Sequence, residues 1–193
     1  MTFAKVSALL GLAVSALLAF SATASATQVT APAGTLYTGN LSLASQGTHI
    51  FHAVVEVKCN KSSLVAGVST HGSDVTANGA VSTLTFTECD QHVVVLSKGS
   101  LETHATSGGN GQVTSTGLTI TIEFTTIFGN VHCAYGTNNT PIGTLTAAAG
   151  ATGHAVLDVS AVLPAHIGSF LCGSSMEWTG TYKVTSPTGL RID

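Results

Sequence analysis

The chain has 193 residues, of which 44% are apolar, 8% are charged and 6% are aromatic, and its formal charge is −3. The mean hydropathy of +0.42 excludes an intrinsically disordered chain, because disorder requires low apolar content and high charge. Only six residues are lysine or arginine. They form no basic patch along the chain, so we expect no nucleic-acid partner.

The N-terminal segment has the pattern of a secretory signal peptide. Lys5 precedes an apolar run from Val6 to Phe20, and the segment closes with Ala24-Ser25-Ala26, which matches the A-x-A cleavage pattern. The run has 15 residues, whereas a membrane-spanning helix needs about 20, so cleavage is favoured over an uncleaved anchor. The sequence predicts a cleaved signal peptide over residues 1–26, a secreted or cell-surface protein over residues 27–193, and no later transmembrane segment.

The mature segment shows a succession of strand patterns. Apolar and polar residues alternate with a period of two, which is typical of a half-buried strand. The segment Val93 to Leu96 is apolar on both faces, which predicts a central strand. In chain order, the predicted strands are 51–59, 93–96, 118–125, 154–163 and 178–185.

Turn signals separate these strands, for example at Asn78-Gly79, Gly129-Asn130 and Asn138-Asn139. The spacing of about 8 to 20 residues leaves no room for the crossover helices that a parallel sheet requires. No convincing amphipathic helix is present. The predicted fold is all-β, a single antiparallel β-sandwich of about ten to twelve short strands.

Four cysteines lie in the mature segment, at Cys59, Cys89, Cys133 and Cys172. An even number in an oxidising compartment favours two disulfides over zinc, and no C-x-x-C or C-x-x-H pair occurs. Three connectivities are compatible with four cysteines. We favour the sequential pairs, Cys59 with Cys89 and Cys133 with Cys172, because they close the shorter loops and leave each half of the chain self-contained.

Motifs for catalysis or metal binding are missing from the sequence. No G-x-S-x-G or H-E-x-x-H motif occurs, and Ser73-Asp74 with Asn78 supplies a single charge for calcium. His52 and Glu56 share a face of the predicted strand, but four residues along a strand separate them by about 13 Å. We therefore expect no catalytic, cofactor-binding or metal-binding residues, and the eight histidines are interpreted as surface side chains that become charged near pH 6.

The predicted outer faces carry threonine where many β-proteins carry charge. Thr83, Thr85 and Thr87 follow this pattern, as do Thr119, Thr121 and Thr125. Charged side chains normally block the addition of a further strand at a sheet edge. The pattern favours association through strand edges, and the alternative is a surface adapted to export whose edges are covered by loops.

Three groups of segments resemble a family of uncharacterised secreted bacterial β-proteins with four cysteines. They are Leu84 to Cys89, Cys133 to Thr137, and Phe170 to Gly173 followed by Trp178 to Pro187. The order of the cysteines and the closing Trp-x-Gly-x-Tyr-x-Val strand are also distantly similar to the secreted activators of alkane oxidation known as PraB. This resemblance implies an extracellular protein without enzymatic activity, and it brings no catalytic residues.

Three classes of function remain open. The first is a secreted structural or surface-interaction protein, which associates with itself or with a cell-surface partner. The second is an extracellular binder or activator of apolar compounds, as the PraB resemblance implies, and the third is a hydrolase with a site assembled from distant residues. An open strand edge favours the first class, a deep apolar pocket the second, and histidines clustered with carboxylates in a cleft the third.

Overall fold

The computed structural model describes residues 26–32, 34–69, 76–127, 129–167 and 170–193. The predicted signal peptide, apart from Ala26, and Ser73-Asp74 of the calcium candidate lie outside the described residues.

The described residues form twelve β-strands and two short 3-10 turns, at Ser107–Gly109 and Phe170–Cys172. Both predicted disulfides, Cys59–Cys89 and Cys133–Cys172, are present. In chain order the strands are β1 (Val29–Thr30), β2 (Gly39–Ser45), β3 (His49–His52), β4 (Glu56–Val68), β5 (Thr76–Cys89), β6 (His92–Ala105), β7 (Gly111–Thr126), β8 (Gly129–Gly136), β9 (Thr140–Thr146), β10 (Val156–Ile167), β11 (Ser175–Ser186) and β12 (Arg191–Ile192).

Ten of these strands form one antiparallel sheet, and β1 pairs with β12 in a small second sheet. In the large sheet, β2 and β3 both pair with β4 and with β11, while β8 and β9 both pair with β7 and with β10. The two halves of the sheet are therefore joined at both sides through these shared strands. The all-β antiparallel prediction is confirmed, with the two layers of the sandwich joined in one hydrogen-bonded sheet and with individual strands of up to 16 residues.

The enclosed face of the sheet carries the hydrophobic core. Alternate residues of β10 and β11 are buried, as the period of two predicts. Trp178 is 1% exposed, and its ring lies 6.0 Å from Phe51 and 5.6 Å from Phe86. Trp178 is therefore the packing anchor of β11.

The prediction of one continuous strand over 51–59 is wrong, because these residues belong to two strands, β3 and β4. The chain turns between β3 and β4, and His52 pairs directly with Glu56 across the hairpin. The distance from His52 Nδ1 to Glu56 Oε2 is 3.9 Å, where a continuous strand would separate the two residues widely. The turn, Ala53-Val54-Val55, contains none of the residues that usually mark a turn, so the alternating pattern continues through it.

Two further expectations are also wrong in detail. Asn78-Gly79 lies within β5 and forms no turn, because Gly79 packs against β4: a Cβ at Gly79 would lie 1.8 Å from the carbonyl oxygen of Gly67. Thr121 is 7% exposed and belongs to β7, so it is not part of the outer threonine face.

The meander places four connections at one end of the sheet, which we call the hairpin end. They are the connections between β3 and β4, β5 and β6, β7 and β8, and β10 and β11. Both disulfides lie near this end, where they join β4 to β5 and β8 to the connection after β10. In the described part of the chain, no helix has the length and apolar character required to cross a membrane.

Candidate functional site

Strands β5 and β6 separate over half of their length. Their ladder runs from Thr76 opposite His104 to Ala80 opposite Ser100 and stops there. Beyond this point β5 pairs with β4 and β6 pairs with β7. Residues 81–88 of β5 and 92–99 of β6 therefore face each other without ladder pairs, and we call these two segments the open edges.

Bulges at both strands accompany this separation. The register of β5 against β4 shifts at Ser82, and the register of β6 against β7 shifts at Leu96. A bulge bends its strand and increases the local twist. Next to it, Gly99 has a φ of +63°, and a Cβ there would lie 2.2 Å from the carbonyl oxygen of Thr116. The close backbone approach at Gly99 therefore requires glycine and fixes the direction in which β6 leaves β5.

A groove of about 310 Å³ lies between the open edges, lined by residues 84–87 and 93–95. All of these lining residues are uncharged. At one end of the groove, Lys98 Nζ donates to the carbonyl oxygen of Ser82 over 2.7 Å, in a stretch where the β5–β6 ladder has ended. The predicted central strand 93–96 is thus wrong in position: it borders the groove, and Leu96 is 66% exposed.

The other end of the groove is held open at the tip of the hairpin. Asp90 N donates to the carbonyl oxygen of Lys58 over 3.0 Å, and Lys58 N donates to Asp90 Oδ1 over 2.9 Å. The disulfide between Cys59 and Cys89 adds a covalent link between β4 and β5. These contacts hold the end of β5 on β4 and oppose its closure onto β6.

A row of three side chains crosses the sheet beside the tip. His92, Glu123 and His132 are direct neighbours on β6, β7 and β8. His92 Nδ1 lies 2.7 Å from Glu123 Oε2, and His132 Nδ1 lies 3.0 Å from Glu123 Oε1. We call these three residues the histidine row. They line a cleft of about 500 Å³ together with Asp90 and Asn130, among others.

The hydrogen bonds of the row favour the ionised form of Glu123. The hydrogen bonds from His92 and then His132 hold the pKa of the Glu123 carboxyl below its usual range. An ionised carboxylate can only accept hydrogen bonds, so each imidazole donates from Nδ1. The two imidazoles thus hold one carboxylate between them.

Nucleophiles in this cleft are already engaged. Cys89 is bonded to Cys59, and Thr125 Oγ1 donates to Asn130 Oδ1 over 2.9 Å. Within the residues that the structure describes, no three histidine, cysteine, aspartate or glutamate side chains are arranged to hold a metal ion.

No sequence motif indicated the histidine row. Its members lie 31 and 9 positions apart in the chain. A two-residue connection at 127–128 places Thr126 opposite Gly129, and this register places Glu123 opposite His132. The pairing of Glu123 with His132 could therefore be predicted from the length of the hairpin connection. The pairing of His92 with Glu123 depends on the bulge at Leu96. No sequence pattern predicts this bulge.

One histidine is not a surface residue, contrary to expectation. His49 is fully buried, and its Nδ1 accepts a hydrogen bond from Trp178 Nε1 over 3.3 Å. Its Nε2 has no hydrogen-bond partner among the described residues. Burial lowers the pKa of the imidazole from 6.5 to about 4, so His49 is neutral at physiological pH and packs as an aromatic core residue.

Two apolar cavities within the core are small. One lies beside Val29 and Leu41 and the other beside Leu64 and Leu157, and each encloses about 40 Å³. Sites for organic ligands typically enclose ~300 Å³ or more, so neither cavity accommodates an apolar compound of ordinary size.

Comparisons of this chain with protein-family models, with curated proteins and with solved structures yield no match.

Proposed function

We propose that this chain is a secreted, non-enzymatic interaction protein of the cell surface or extracellular matrix, which associates by strand addition at the open edges of β5 and β6. The observation that carries the proposal is the end of the β5–β6 ladder at Ala80 and Ser100, halfway along both strands. An unpaired strand edge presents a row of backbone donors and acceptors that an added strand can pair with.

The surroundings of the open edges support association. Native proteins usually protect strand edges with charged side chains or prolines, whereas the residues that line this groove are aliphatic, aromatic or threonine. The charged residue Lys98 lies at one end of the groove, where its Nζ contacts the carbonyl oxygen of Ser82. The groove is also built on rigid elements, since hydrogen bonds and a disulfide hold its tip. An incoming strand would therefore meet preorganised edges, which lowers the entropic cost of binding.

Secretion has a separate support. Disulfides persist in oxidising compartments and are rare in the cytosol, and both cysteine pairs of the described chain are bonded. Together with the predicted signal peptide, this pattern favours action outside the cell, on a second copy of the chain or on a surface partner.

Lysine substitution at the open edges tests this proposal. Thr87→Lys and Leu96→Lys place charge on exposed side chains of β5 and β6. Thr179→Lys is the matched control. Thr179 is exposed on β11, and it is paired with β10 on one side and with β3 on the other, so it borders no open edge. Thr83 is half-buried and Thr121 is buried, so both are less suitable sites.

Sedimentation velocity of the mature protein, from micromolar to millimolar concentration, measures the association. We expect the wild type and Thr179→Lys to self-associate and both edge variants to remain monomeric, with unchanged circular dichroism in all four proteins. A wild type that stays monomeric over the whole range, or edge variants that associate like the wild type, would contradict self-association through these edges.

A second candidate is hydrolysis at the cleft, since the histidine row brings two imidazoles and a carboxylate together. This arrangement can move protons, but the cysteine and the threonine of the cleft are engaged elsewhere. Hydrolysis of activated esters by the wild type that is lost in Glu123→Gln, and kept in Glu177→Gln, would favour this candidate. Binding of apolar compounds, the second of the three classes, gains no support from the small core cavities.

A further inference from the structure

The two disulfides differ in their exposure to solvent. Cys59, Cys133 and Cys172 are each at most 1% exposed. Cys89 is half-buried and lines the cleft beside the histidine row. A thiolate cleaves a disulfide by attacking one of its two sulfur atoms, so the rate of cleavage depends on access to that sulfur. Of the four cysteines, Cys89 is therefore the one that a thiol in solution can reach.

The disulfide between Cys133 and Cys172 is enclosed by core residues. Tyr135 is 1% exposed, and its hydroxyl donates to the carbonyl oxygen of Cys172. Cys133 lies on β8 directly opposite Ile122 of β7, which is also 1% exposed. A thiol can attack this bridge only after the surrounding strands have opened.

The cleft beside Cys89 has an excess of negative charge. Two of its lining residues, Asp90 and Glu123, are carboxylates and none is lysine or arginine, which gives a formal charge of −2 with neutral histidines. Glu88, the residue before Cys89, is paired with Lys61. A cleft of this charge attracts cations and repels anions, and salt screens both effects.

We propose that Cys89 is a thiol-exchange site, at which a small cationic thiol forms a mixed disulfide. The ionised sulfur of the thiol attacks Cys89 Sγ, the bond between Cys89 and Cys59 breaks, and Cys59 leaves as a thiolate that takes up one proton. One sulfur–sulfur bond replaces another, so the step needs no oxidant or reductant other than the thiol. This inference goes beyond the proposed association and does not depend on it.

Thiol exchange on the folded protein, residues 27–193, tests the site. The probes are cysteamine, 2-mercaptoethanol and 3-mercaptopropionate, which are cationic, neutral and anionic, each over a range of concentrations at about pH 8, where part of each thiol is ionised. N-Ethylmaleimide stops the reaction, and peptide mapping identifies the modified cysteines. Each rate is divided by the rate of the same thiol with bis(2-hydroxyethyl) disulfide, which corrects for differences in thiol reactivity.

We expect cysteamine on Cys89 and N-ethylmaleimide on Cys59, while Cys133 and Cys172 remain linked. The corrected rate should increase with thiol concentration. It should be highest for cysteamine and lowest for 3-mercaptopropionate, with a difference of about threefold or more at low salt. The difference should decrease at about 1 M sodium chloride, because the charges of the cleft are then screened.

Asp90→Asn tests the contribution of charge to this preference. Asparagine keeps a side-chain oxygen that can accept from Lys58 N, as Asp90 Oδ1 does over 2.9 Å. The difference between cysteamine and 3-mercaptopropionate should decrease in this variant. The matched control is Asp158→Asn on β10, where the carboxylate accepts from Thr181 Oγ1 over the same distance, and there the difference should be unchanged.

Four results would each overturn the proposal: a rate independent of thiol concentration, which shows that unfolding must come first; opening of the Cys133–Cys172 bridge before the other; addition of the thiol to Cys59 instead of Cys89; and equal corrected rates for the cationic and anionic thiols. If Asp90→Asn loses the circular dichroism of the wild type, the salt dependence of the wild type still tests the role of charge. Exchange is measured in dilute protein, so it can succeed or fail independently of self-association.

Discussion

The imidazole of His49 fills the space that a side chain at position 180 would occupy. A Cβ built on Gly180 would lie 2.1 Å from His49 Nδ1, and the His49 ring is 4.4 Å from the ring of Tyr182. Glycine at position 180 is thus required by a neighbour on β3, and the histidine is held between β11 and the core.

Gly180→Ala should destabilise the fold, because His49 must move within a closely packed aromatic cluster. Overpacking of this kind typically costs about 1 to 3 kcal/mol, which urea denaturation can measure. Gly67→Ala is the control, because a Cβ at Gly67 would meet its neighbours at ordinary contact distances of 3.7 and 3.8 Å. Equal stability of the two variants would refute the packing relationship.

The stability of the protein should fall in mild acid because of the same histidine. The pKa of His49 is lowered by burial from 6.5 to about 4, so the unfolded chain binds a proton at higher pH than the folded chain. Above pH 6.5 the imidazole is neutral in both states and does not reduce the free energy of unfolding. As the pH falls from 6.5 towards 4, the free energy of unfolding decreases, by about 3 kcal/mol once the pH is below both pKa values.

Urea denaturation at several pH values between 7 and 4 measures this effect. In His49→Gln, most of this decrease in the free energy of unfolding should be absent, since glutamine does not titrate. The control is His154→Gln, which replaces another histidine. A wild type and a His49→Gln variant with parallel pH profiles would show that the buried imidazole is not the cause.

Reduction of the disulfides should lower the melting temperature strongly. The bridges close loops with sequence separations of 30 and 39 residues, and each contributes roughly 3 to 4 kcal/mol in the chain-entropy description. Peptide mapping without reduction should recover Cys59 linked to Cys89 and Cys133 linked to Cys172. Four free thiols in the purified protein, or a melting temperature that does not change on reduction, would contradict a structural role.

Fold class and cysteine pairing could be predicted from the sequence because both follow from local patterns. The alternation along β10 and β11 matches their buried faces, and sequential cysteine pairing follows from loop length. The hairpin at Ala53 to Val55 could not be predicted, because alternation continues through a turn that lacks glycine, proline, asparagine and aspartate.

The open edges and the pairing of His92 with Glu123 could not be predicted from local patterns. Val93 to Leu96 has the composition of a central strand, and only the bulge at Leu96 and the bend at Gly99 place it beside a groove. Both features arise from long-range pairing between strands. Outward threonines such as Thr87 indicated an uncharged edge, but the edge itself is a property of the tertiary structure.

Hydrogen–deuterium exchange tests the strand-addition account most directly, because it locates the backbone groups that become paired. Exchange is compared between dilute protein, comprising residues 27–193, and the same protein concentrated enough to associate. The account predicts slower exchange at groove-facing amides of residues 81–88 and 92–99, with no change in β10 and β11. Protection confined to other segments, or unchanged exchange at the open edges in associated protein, would contradict it.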